Sequence, residues 1–127
     1  MHFHQTNLKD ARLIELEPHG DERGFFARTM CHAEFEHHGL LSDFVQQNTS
    51  FSAQRGTLRG LHYQRQPHAE AKLVRCIRGA IVDIIVDIRK NSETYLHHQL
   101  FELTDANRHQ LYVPPGFAHS FQTLTDD

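Results

Sequence analysis

The chain has 127 residues, of which 39% are hydrophobic and 23% charged, with a formal charge of −3. This is enough for one domain with its own core, and the absence of a basic stripe argues against a nucleic-acid partner. No apolar run reaches membrane-spanning length and the opening MHFHQTNLKD lacks the apolar segment of a signal peptide, so a soluble protein of the reducing cytoplasm is expected.

Residues 11–17, ARLIELE, alternate apolar and polar as a half-buried strand does. GDERG (20–24) reads as a turn and FFARTM (25–30) as a strand. HAEFEHHGL (32–40) has helical spacing with a stop at Gly39, which predicts one short helix. Strands are then expected at 43–51, 57–64, 71–79, 80–89, 97–104, 109–115 and 119–125. Turn chemistry at QRG (54–56), RQPH (65–68), RKNSET (89–94) and TDAN (104–107) separates most of them. Many short strands and almost no helix predict an all-β antiparallel barrel or sandwich. A jelly roll suits the length and leaves a cavity for a small ligand. Cys31 and Cys76 have no metal or redox spacing. The twelve histidines mostly lie in polar stretches, so each needs context before it is given a role.

Two stretches supply that context. LRGLHYQ (58–64) sets Arg59 and His62 inside a run otherwise fit for a buried strand, where a cation and a titratable ring each need a partner. Strict alternation puts Arg59 and His62 on opposite faces, unless a bulge at Gly60 re-aims the chain. By the same parity Lys72 and Asp83 point either inward with His62 or out to solvent, and parity alone leaves both open. In VPPGFAHSF (113–121), Pro114, Gly116 and His119 form P-x-G-x-x-H, in which a rigid turn aims the histidine at the start of a strand.

P-x-G-x-x-H resembles the second cupin motif. Together with GDERGFF (20–26), FVQQN (44–48), LRGLHYQ, KLVRCIRG (72–79) and VDIIVDIR (82–89), it makes nearly the whole chain resemble the dTDP-4-dehydrorhamnose 3,5-epimerase family. The resemblance implies a single cupin-type jelly-roll domain over residues 1–127, lacking the family's C-terminal segment. It implies a metal-free, cofactor-free isomerase that inverts C3 and C5 of a dTDP-linked 4-keto-6-deoxy sugar through an enolate, on a route to rhamnose. His62 matches the family's base and Lys72 the residue beside the keto oxygen. Arg23, Gln46, Asn48, Arg59 and His119 match positions that bind the nucleotide sugar. A homodimer is implied, with protomers packed sheet to sheet and N-terminal residues reaching toward the neighbour; no membrane or nucleic acid is implied.

Two departures stand out. Arg28 occupies a position where the family commonly has a substrate-contacting glutamate. The chain also stops before the tyrosine that serves the family as acid and the aspartate that pairs with the catalytic histidine, and Tyr63, Tyr95 and Tyr112 do not stand at that tyrosine's position. Two alternatives follow. One is a metal-dependent cupin using His62, His119 and a carboxylate such as Glu70, although Gln64 stands where such cupins carry a second histidine. The other is a non-catalytic module that binds nucleotide sugars.

Overall fold

Ten strands and one short helix make up the computed structural model, which describes residues 1–126. The strands are β1 (His2–Gln5), β2 (Arg12–Glu15), β3 (His19–Asp21), β4 (Gly24–Phe26), β5 (Leu58–His62), β6 (Lys72–Arg75), β7 (Ala80–Asp87), β8 (His98–Thr104), β9 (Gln110–Val113) and β10 (Phe117–Thr123). One antiparallel sheet runs β1-β2-β9-β6 and a second runs β5-β10-β7-β8, while β3 and β4 form a separate hairpin. The chain crosses repeatedly between the two sheets, the topology of a cupin-type jelly roll.

The inner faces follow from register. Leu111 and Val113 of β9 point between the sheets and meet Ile85, Phe101, Leu103 and Phe117 from the second sheet, with Leu8 and Ala11 closing one side. Each such aliphatic or aromatic side chain contributes about 1.5–3 kcal/mol on burial. The outer face of the first sheet is covered separately: Ile14 and Tyr112 pack against Phe35 and Leu40. Phe35 belongs to α1 (His32–His37), is the helix's one buried residue, and so anchors a helix of less than two turns. Gly39, at φ +72°, turns the chain away.

The outer face of the second sheet has no such cover. Val82, Ile84 and Val86 are only half-buried there, and Leu58 and Leu100 are exposed.

Most expected strands form, with ends moved by at most four residues. The expected strand at 43–51 does not form. The segment has no regular secondary structure and joins no ladder among the described residues, and Val45 and Phe51 are exposed. The short β1 and β3 were not foreseen; the turn at 20–24 is the tip of the β3–β4 hairpin.

Candidate active site

β5 lies at the edge of the second sheet and pairs with β10 through a register shift. Arg59 faces Phe121 and Gly60 faces Ser120, but the next pair is His62 with His119, which leaves Leu61 surplus. Residues paired across an antiparallel ladder share a face. The bulge therefore puts Arg59 and His62 on the same, inward face as His119 and Phe121. Gly60 makes this possible: its φ is +100°, and a β-carbon there would stand 2.6 Å from the carbonyl oxygen of His119.

The expectation that Arg59 and His62 are buried is not met. All five residues of β5 are exposed, because an edge strand with an uncovered outer face has protein on one side only. Arg59 is held from behind, its Nε donating to Ser52 Oγ at 3.1 Å and its Nη2 to the carbonyl of Phe51 at 2.9 Å.

Register also fixes the two residues that parity left open. Asp83 pairs with Phe121 and with Phe101, so it points inward with them. Lys72 pairs with Val113, a core residue of the facing sheet, and points inward too. His119 Nε2 donates to Asp83 Oδ2 at 2.8 Å in a buried contact. Burial raises the Asp83 carboxyl above its ordinary pKa, against the opposing pull of its bond to His119 and of the charges on His119 and Lys72. His62, His119, Asp83 and Arg59 thus point between the sheets from the second sheet, and Lys72 points toward them from the first. The His119–Asp83 pair was not legible beforehand: it joins residues 36 apart, through the pairing of β7 with β10.

Among the described residues no hydrogen bond or ion pair joins the other expected site residues to this group. Gln46 and Asn48 are exposed on the 41–53 segment, which has no regular secondary structure, and make no hydrogen bond among the described residues. Arg23 lies on the β3–β4 hairpin, where it forks onto the Asp21 carboxylate at 2.6 Å. Arg28 is paired with Glu34 of α1 at 2.9 Å. Of the tyrosines, Tyr112 uses its hydroxyl to accept the N–H of Leu41 on the far side of the first sheet. Glu70 is exposed and engages the amide of Gln64 at 3.1 Å, in the amide orientation that satisfies both of its ends. Among the described residues no three His, Cys, Asp or Glu side chains are grouped to hold a metal ion, and no helix is long and apolar enough to cross a membrane.

A jelly roll with two histidines, a lysine and an arginine facing its cavity defines a cupin-type protein suited to an anionic small ligand. The family model for dTDP-4-dehydrorhamnose 3,5-epimerase matches residues 5–127. A dTDP-4-dehydrorhamnose 3,5-epimerase of Methanothermobacter thermautotrophicus is 49% identical over 125 residues, which cover 98% of this chain and 66% of that protein. The crystal structure of the enzyme from Elizabethkingia anophelis superposes with a TM-score of 0.96 at 46% identity, covering 99% of this chain and 69% of that one. That from Bacillus anthracis, with TDP and PPi bound, gives 0.94 at 45% identity, covering 98% and 71%. The chain belongs to the dTDP-4-dehydrorhamnose 3,5-epimerase family, and it spans just under two thirds of the length of the Methanothermobacter relative.

Proposed function

We propose that this chain carries the binding and proton-abstracting part of an epimerase acting at C3 and C5 of a dTDP-linked 4-keto-6-deoxy sugar. The observation that carries the reading is the bulge that turns His62 onto the inward face it shares with His119 and Arg59, toward the sheet that carries Lys72. The 4-keto group acidifies the hydrogens on its neighbouring carbons. His62, as neutral imidazole, takes one such proton; the C–H pair becomes a C=C bond and the carbonyl pair moves onto oxygen. Lys72 stabilises that enolate oxygen, and a proton returns to the carbon from the opposite face. Arg59 and Arg23 hold the pyrophosphate, for which the guanidinium fork is well shaped, while Gln46, Asn48 and His119 bind the rest of the nucleotide sugar.

Arg23 is exposed on the β3–β4 hairpin and is bonded to Asp21 alone among the described residues, which supports a site completed by a second copy. A homodimer would cover the half-buried Val82, Ile84 and Val86 face and give the unpaired 43–51 segment a neighbour. The free thiols of Cys31 and Cys76 fit a cytoplasmic location.

A non-catalytic binding module is the second reading, favoured because the described residues place no tyrosine hydroxyl against His62. Deuterium uptake from solvent into a dTDP-4-keto-6-deoxyhexose separates the two readings. Epimerase chemistry requires label at C3 and C5, reduced by about two orders of magnitude or more in His62→Ala. Calorimetric binding of dTDP with no label at either carbon would leave the module, and unchanged uptake in His62→Ala would remove His62 as the base.

A further inference from the structure

Asp83 is fully buried, yet its Oδ1 has no hydrogen-bond partner, alone among the buried side-chain oxygens and nitrogens of the described residues. A buried carboxylate left half-satisfied costs stability, and packing gives no reason to keep it, since its neighbours in register are Phe101 and Phe121. The basic side chains around it are informative. β10 supplies His119, already bonded to Oδ2; β5 supplies Arg59, tied back to Ser52 and Phe51, and His62; β6 supplies Lys72. Farther along β7, Asp87 has its own partners in Arg89, Ser92 and Thr94. Lys72 has no hydrogen bond or ion pair among the described residues, and its charge is felt at Asp83. One inward ammonium and one inward carboxylate oxygen are therefore both without a partner, and they face each other's sheet.

We propose that Asp83 is a positioning residue for two side chains between the sheets: Oδ2 fixes the ring of His119, and Oδ1 holds the ammonium of Lys72 where the enolate oxygen forms. This rests on the epimerase reading for its catalytic part only. Asp83 touches no reacting atom. It acts through Lys72, so its loss lowers turnover rather than binding.

The test is Asp83→Asn in the full chain, which keeps the shape and removes the charge. In the resting protein, nitrogen-detected NMR of lysine side chains should find the Lys72 ammonium protons protected from exchange in the native chain and unprotected in the variant. In turnover, kcat should fall about 100-fold, the usual cost of misplacing one oxyanion donor, with KM changed less than about threefold. Adding Asp83→Asn to Lys72→Met should cost less than about threefold more, because the group it positions is already gone. Losses that multiply independently would show a structural role and overturn the proposal, as would a variant that fails to fold. An unchanged Lys72 ammonium overturns it whatever the reaction. Absence of epimerisation by the native chain strikes the reaction instead, and the ammonium comparison then decides whether Asp83 holds Lys72.

Discussion

Asp83 and Asp87 stand four residues apart on the same face of β7, and both are completely buried. Their surroundings differ in kind. Asp87 accepts hydrogen bonds from the backbone N–H and Nε of Arg89 on Oδ1, and from Arg89 Nη2, Ser92 and Thr94 on Oδ2. Arg89 goes on to Asp10 at 2.7 Å and the carbonyl of Lys9, and lies over the ring of Phe117. That network welds the β7–β8 turn to the N-terminal loop and to the start of β10. Asp83 has one partner and a bare oxygen. The titrations part accordingly: burial opposes ionisation at Asp87 too, but the bonds from Arg89, Ser92 and Thr94 overcome it and hold the carboxyl well below its ordinary range, whereas at Asp83 burial wins. A carboxylate with all its lone pairs filled by its own chain serves the fold. One left open next to a histidine and a lysine is available to a site.

Mutation of the saturated member should produce the largest effect. Asp87→Ala removes the buried partner of Arg89, Ser92 and Thr94 and should destabilise by about 3 kcal/mol, at the low end for breaking a buried pair because Arg89 is partly exposed and keeps Asp10; urea unfolding measures it. The pH dependence sharpens this. Asp87 is held low when folded, so its contribution is present above the unfolded carboxyl value near ~4 and is lost as pH falls toward the folded one. Asp87→Asn should flatten that acid slope.

A smaller loss is expected from Gly116→Ala. Gly116 has φ +85°, and a β-carbon there would meet Arg89 Cγ at 2.5 Å. Strain and a displaced Arg89 together should cost about 2 kcal/mol in thermal unfolding. If the variant is as stable as the native chain, Arg89 is not clamped by the turn that leads into β10.

The smallest stability change belongs to Asp83→Asn. Asp83 is raised when folded, so its contribution is present below ~4 and lost as pH rises through the folded value. Above that window the variant should equal the native chain or exceed it by up to about 1 kcal/mol, since a buried charge with one partner is removed. A stability loss approaching that of Asp87→Ala would erase the contrast between the two aspartates.

Much of this was legible in the sequence for local reasons. The alternation of residues 11–17, the P-x-G-x-x-H turn ahead of His119 and the suspicion of a bulge at Gly60 all rest on neighbours within a few residues. What was not legible depends on a second strand. Segment 43–51 has the residues of a strand, but a strand is completed only by a partner's backbone. Lys72 and Asp83 could not be assigned a side until the opposite sheet showed which face was the inner one. The Asp87 network draws on Lys9 and Asp10, nearly 80 residues away, and no spacing rule reaches that far. The low exposure expected for Arg59 and His62 failed for a related reason: a sequence does not say that its strand will lie at an edge.

The surplus Leu61 has a further consequence for anyone comparing or transplanting such sites. Arg59 and His62 are three apart along the chain, yet their partners Phe121 and His119 are two apart. An interval of three is the arithmetic of a helix face, and here it occurs in a strand because one residue is left out of the count. A search for this pair by periodicity alone would assign it to the wrong kind of element. A graft onto a regular strand would need the two residues at i and i+2, with the intervening leucine deleted.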